Sequence, residues 1–194
     1  MAVEFDLAVR KPLLAYVPDW IHPNHLSIAR FILAAPTIVY KDDPTTAIGF
    51  LLASSLCDLL DGPLARVRGQ KSEWGAVLDA TGDKIYIHAV TYMACLHAIS
   101  ADLFWIALGI DIFLTLIRPL KNRYGVSTSS NRWGGAKVWA YSIAMGLAFL
   151  HDMGAQMHAQ PVYLIGIALG ILSVGGHIVD IVHASKTKSP SDPP

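Results

Sequence analysis

Charge is scarce in this chain. Only 15% of its 194 residues are Asp, Glu, Lys or Arg, where a soluble domain carries about 25%. The acids and bases, 15 of each, cancel to a formal net charge of zero. That balance leaves no polybasic bulk of the kind nucleic-acid binding draws on, so no nucleic-acid partner is expected. Cysteine is equally sparse: Cys57 and Cys95, both in apolar surroundings, are too few for a disulfide framework or a zinc site and read as packing residues. The first residues, MAVEFDLAVRKPLLAYVP, hold no long apolar core and no small-residue cleavage site, so a cleaved signal peptide is not expected. Internal repeats are lacking as well. Residues 1–185 read as one domain, and 186–194 as a disordered tail.

What the chain has in quantity is apolar sequence, 53% by residue, distributed as a membrane protein distributes it. Residues 2–17 mix Val3, Leu7, Leu13 and Leu14 with Glu4, Asp6, Arg10 and Lys11, which suits an amphipathic helix lying at a membrane surface. Pro18 and Pro23 break the chain, and Asn24 or Ser27 is available to cap the first apolar helix. Apolar runs then cover about 26–40, 45–66, 73–99, 101–120, 136–151 and 160–184. The fold class expected is all-α and integral to the membrane, with six transmembrane helices and an N-terminal interfacial helix. Arg10 and Lys11, Arg66, Arg68 and Lys71, Lys121, Arg123, Arg132 and Lys137, and Lys186 and Lys188 fall on one side of that six-span arrangement. Both termini are therefore expected in the cytoplasm. The chain's compactness suggests a prokaryotic plasma membrane as its location.

Against this background the stretch from Cys57 to Tyr86 stands out, with four aspartates, Gly62, Gly75 and Arg66 set among apolar residues. Asp58 and Asp61 are three apart, and Asp79 and Asp83 four apart, so each pair projects from one face of a helix. Close carboxylates repel unless a cation neutralises them, and a hard divalent ion with oxygen ligands is the usual partner. At about 1.5 Å per residue, Asp58 lies roughly 12 Å inward from Arg66 and Asp79 roughly 6 Å inward from Gly75. The four acids can thus share one layer below the cytoplasmic surface. Gly62, Ala65 and Gly75 keep the same helical faces small, leaving room for a ligand or for close helix approach.

The pattern Asp58-x2-Asp61-Gly62-x2-Ala65-Arg66-x8-Gly75-x3-Asp79-x3-Asp83 resembles, at every specified position, the signature of the CDP-alcohol phosphotransferases, membrane enzymes of phospholipid synthesis. The segment from Pro23 to Arg30 is similar to that family too. The resemblance implies that Asp58, Asp61 and Asp79 bind two divalent ions, Mg²⁺ or Mn²⁺, and that Asp83, also beside a metal, is the general base for the acceptor hydroxyl. It also implies that Asp58, Gly62, Ala65, Arg66 and Gly75 receive a CDP-activated lipid. Arg66 would pair with a donor phosphate, with a membrane-surface anchor as its plainer role; Arg68 and Lys71 are open between the same two roles. The family implies a homodimer.

The acceptor is written elsewhere. Arg118 lies inside or at the end of the fourth run, where a lone cation is costly and suits a phosphorylated acceptor. The region from Asp111 to Arg118 resembles the fourth helix of phosphatidylglycerophosphate synthases, although Ile110 and Asp111 stand where an Arg-Glu pair is usual. Gly134-Gly135-Ala136-Lys137 is similar to the glycine-lysine segment of the same enzymes, which makes Lys137 a second candidate for acceptor phosphate. Glycerol-3-phosphate is the expected acceptor, with inositol phosphate or another polyol next. A divalent-cation transporter is the alternative from another class. The eight histidines show no close ligand pair and read as interfacial residues, and Trp20, Trp74 and Trp133 suit an aromatic belt.

Overall fold

The computed structural model describes residues 17–18, 20–70, 73–124, 126 and 131–187, and for 73–80, 122, 123 and 187 it describes the backbone alone. Among them six helices succeed one another: α1 (Pro23–Val39), α2 (Pro44–Val67), α3 (Glu73–Ala94), α4 (Ala101–Arg123), α5 (Arg132–Asp152) and α6 (Ala159–Thr187). The expected interfacial helix at 2–17 and most of the expected tail at 186–194 lie outside the described residues.

Local chemistry fixes the ends. Proline opens α1 and α2, where its missing N–H costs no helical hydrogen bond. His22, rather than Asn24 or Ser27, precedes the first turn of α1, and its N–H donates to His25 Nδ1 at 3.3 Å. Ser27 is one turn inside the helix and bonds elsewhere. Asp43 caps α2: one carboxylate oxygen accepts from Thr46 Oγ1 at 2.6 Å and the other from Thr46 N at 3.4 Å. At the other end, Gln70 N donates to Ala65 O at 3.0 Å and Gly69 N to Arg66 O at 3.4 Å, with Gly69 at φ +64°. This is the six-to-one and five-to-two pair that closes a helix on a left-handed glycine. The third apolar run reads through residue 99 in sequence, but α3 ends at Ala94, and Cys95 O accepts from both Ala98 N and Ile99 N at 3.0 Å in a turn.

Among the described residues, three helices are by length and composition able to cross a membrane: Pro44–Val67, Ala101–Lys121 and Ala159–Lys186. Their outward faces carry large apolar side chains, among them Leu52, Leu116 and Ile171, which in water would form adhesive patches. Helix α1, at 17 residues, is at the short end of the roughly 17–25 residues that cross a bilayer core.

The described residues fall into two compact units. One contains those up to Ala94 with Asp152–Gly154; the other contains Cys95–His151 and those from Ala155 onward. In the first, α1 packs along both α2 and α3. A Cβ at Gly82 would stand 3.2 Å from the Phe31 ring, so α3 approaches α1 as closely as a glycine allows. Thr37, fully buried, bonds Tyr86 across the same seam at 3.0 Å, and its hydroxyl also lies 2.7 Å from Leu33 O on its own helix. In the second unit α4 packs on α6. Tyr141 of α5 and Tyr163 of α6 lie ring against ring at 4.6 Å, and Gly166 faces the Tyr141 ring so closely that any side chain would overlap it.

Candidate metal and phosphate-transfer site

The packing of α1 on α2 and α3 brings together residues that are far apart in sequence. Asp58 and Asp61 project from α2 and Asp83 from α3, and the cation among them is Arg30 of α1, only 4% exposed. Its Nη1 lies 2.9 Å from Asp58 Oδ1 and 3.8 Å from Asp61 Oδ2, while Nη2 contacts Asp83 Oδ1. One turn earlier on α1, Ser27 Oγ donates to Asp61 Oδ2 at 3.1 Å. Three of the four predicted acids therefore share one cation. The side chain of Asp79 lies outside what is described, and Gly75 is described by its backbone alone.

The oxygen-only donor set fits a hard divalent ion, and the guanidinium stands where such an ion's charge is needed. Asp58, Asp61, Asp83 and Arg30 sum to a formal charge of −2. Among the described residues no three His, Cys, Asp or Glu side chains converge as a ready ligand set; the guanidinium bridges Asp58 and Asp83 instead. Beside the layer, a Cβ placed on Gly62 would meet no described atom within 4 Å beyond its chain neighbours and its own helix backbone, so among the described residues that face is open. Arg66 is exposed at the end of α2. Arg68 takes a role that sequence reasoning did not weigh: its guanidinium donates to the carbonyls of Val17, Pro18 and Ile21, tying the segment before α1 to the end of α2. Lys71 lies outside the described residues.

The second unit holds its own ionic cluster. Lys137 and Asp111, at 4% and 3% exposure, form a buried ion pair between α5 and α4. Gly170 of α6 makes room for it, since a Cβ there would sit 3.2 Å from Lys137 Cδ and 3.0 Å from Ile110 Cγ2. Lys121, just past the fourth apolar run as read from sequence, is 3% exposed; its Nζ is 2.7 Å from His177 Nδ1 and 3.5 Å from Asp180 Oδ2. Asn131 caps α5 through Gly134 N at 2.9 Å and joins it to α6 through Ser173, by Oγ at 2.8 Å and by O at 3.1 Å. Arg118 is half-buried on α4, one turn before Lys121.

Residues 20–174 match the family model described as CDP-alcohol phosphatidyltransferase. The chain belongs to that family. It is 35% identical over 106 residues to the cardiolipin synthase (CMP-forming) of Rattus norvegicus, a match covering 52% of this chain and 34% of that one. To the CDP-diacylglycerol–glycerol-3-phosphate 3-phosphatidyltransferase of Aquifex aeolicus it is 31% identical over 101 residues, covering 48% and 56%. The match thus spans about a third to just over half the length of these relatives. In three dimensions it superposes on the phosphatidylinositol phosphate synthase of Mycobacterium tuberculosis, crystallised with CDP-DAG bound, with a TM-score of 0.56 and 20% identity over 97% of this chain and 96% of that one. That likeness establishes a shared fold.

Proposed function

We propose that the chain is a membrane-embedded phosphatidyltransferase that moves a phosphatidyl-type group from a CDP-activated lipid to a hydroxyl acceptor and releases CMP. The observation that carries this reading is the convergence of Asp58, Asp61 and Asp83 from two helices on one cation, in a chain of this family. Asp58, Asp61, Asp79 and Asp83 would hold two Mg²⁺ or Mn²⁺ ions, which supply neutralisation of the pyrophosphate charge when bound. Asp83 takes the proton of the acceptor hydroxyl as its oxygen bonds to the lipid-bearing phosphorus, and the bond from that phosphorus to CMP breaks. Gly62, Ala65 and Gly75 leave the nucleotide its space, and Arg66 pairs with a donor phosphate. The open face at Gly62 supports the first of these roles.

Glycerol-3-phosphate is the acceptor this reading favours, bound through Arg118 and Lys137; the named activity of the Aquifex relative supports it. Inositol phosphate is the second reading, supported by the name of the fold neighbour. We place the chain as a single homodimeric domain of six spans in a plasma membrane, with termini and site cytoplasmic. Membership of a transferase family weighs against the cation-transporter alternative.

The test is CMP release by purified protein from CDP-diacylglycerol, with Mg²⁺ or Mn²⁺ and a panel of acceptors. Metal-dependent CMP with glycerol-3-phosphate is the expected result. No CMP with any acceptor, together with metal flux into liposomes, would refute the enzyme reading, and an unphosphorylated acceptor working best would refute the roles given to Arg118 and Lys137.

A further inference from the structure

We propose that Arg30 is the acid layer's resident counter-cation, a positioning residue whose guanidinium holds Asp58, Asp61 and Asp83 together until divalent ions take its place. The inference rests on the metal reading of those acids. Four observations lead to it. Arg30 is almost fully buried on an otherwise apolar stretch of α1, a location where a cation is costly unless carboxylates surround it. Its partners come from two different helices, and its planar fork reaches both: Nη1 serves Asp58 and Nη2 serves Asp83. The oxygens it faces, Asp58 Oδ1, Asp61 Oδ2 and Asp83 Oδ1, belong to the carboxylates a hard cation would need, so guanidinium and metal are alternative occupants. Finally, Ser27 holds Asp61 Oδ2 independently at 3.1 Å. That carboxylate keeps an oriented donor when the guanidinium leaves.

The consequence is an exchange. With three carboxylates and one guanidinium the described side chains sum to −2, a charge that attracts a divalent ion, yet loading requires Arg30 to release its partners. Metal affinity is therefore set below what the acids alone would give. In return, the layer stays assembled across three helices when metal is scarce.

Wild type, Arg30→Met and Arg30→Lys, stripped with EDTA and kept free of donor lipid, would be compared by two readouts. One is Mn²⁺ affinity from the free-ion electron paramagnetic resonance signal; the other is the unfolding midpoint with and without saturating Mn²⁺. Arg30→Met should bind Mn²⁺ at least tenfold more tightly than wild type, and its stripped form should unfold earlier, with the gap closing as Mn²⁺ is added. If the stripped variant does not stay folded, collapse of Arg30→Met on chelation while wild type survives is the same result. If it folds under neither condition, Arg30→Lys decides, with roughly threefold tighter Mn²⁺ binding expected because a point charge bridges two carboxylates less well. Wild type that binds Mn²⁺ while the variants bind it equally or more weakly overturns the exchange and leaves the metal reading intact. Wild type that binds no Mn²⁺ overturns both.

Discussion

Replacing Lys137 by methionine removes the ammonium paired with Asp111 while nearly preserving side-chain length. Both residues are almost fully buried, and the pair crosses from α4 to α5. At a hydrogen-bonded separation of about 3 Å and an effective dielectric of about 20, the gross attraction is roughly 5–6 kcal/mol. Desolvation of the two ions offsets most of it, so the intact pair adds little net stability. Removing one partner is different, because a buried carboxylate then loses the cation that balances its charge, at a cost of about 3–5 kcal/mol. Lys137→Met should therefore lose about 3–5 kcal/mol of unfolding free energy, measured by SDS titration in mixed micelles, and Asp111→Leu should lose a similar amount. The double variant should return to within about 2 kcal/mol of wild type, because no charge is stranded. A Lys137→Met protein within about 0.5 kcal/mol of wild type, or a double variant as weak as the sum of the singles, would refute the buried pair.

Other expectations rest on the same geometry. Asp83→Asn should fold and lose at least about 100-fold in turnover, the low end of what a positioned general base contributes, as read by CMP release. Gly62→Ala should melt no lower than wild type, since the site is open and alanine is the better helix former by about 1 kcal/mol, yet should raise the KM for CDP-lipid. Gly166→Ala should do the reverse, costing about 1–3 kcal/mol by overpacking against Tyr141 with no direct effect on donor affinity. The Asp43 carboxyl is held below its ordinary value by hydrogen bonds from the Thr46 hydroxyl and amide. A depressed folded-state pKa means this cap contributes fully above the unfolded carboxylate value, about 3.9, and is lost as pH falls through the folded one. Asp43→Asn should keep the cap and flatten that acid limb in a melting series.

The helix pattern was legible because apolar runs ended on strong signals: Pro44 at the start of α2, Gly69 past its end, Pro23 at the start of α1. Where such signals are missing the boundary moved, as at Ala94, since residues 95–99 hold neither glycine nor proline to mark the turn. Of the acid layer, the two pairs were legible from spacing alone. Arg30 was not, although the rule that drew attention to Arg118, a single cation in an apolar helix, applies to it equally. Its meaning depended on three helices meeting, and spacing within one segment carries no such information. Lys121 was hidden differently, because the side-of-membrane reading already accounted for it together with Arg123, Arg132 and Lys137; His177 and Asp180, three apart on α6, hint that it has partners.

The cations of the second unit differ in a way that separates Arg118 from Lys137, which the sequence treats as equals. In the second unit Lys137 is matched to Asp111, and Lys121 to His177 and Asp180, so these cations already have protein partners. Arg118, half-buried one turn before Lys121, has no carboxylate partner among the described residues. A cation with no carboxylate partner among the described residues is the one whose removal a ligand would notice most. Arg118→Gln should therefore leave unfolding stability within about 1 kcal/mol of wild type, where Lys137→Met does not. A hydrogen bond to a charged group contributes about 1.5–3 kcal/mol, so the same change should raise the KM for glycerol-3-phosphate about 10- to 100-fold. The rate with an unphosphorylated polyol should not move. Equal losses with both acceptors would mean that Arg118 supports the helix and does not read the phosphate.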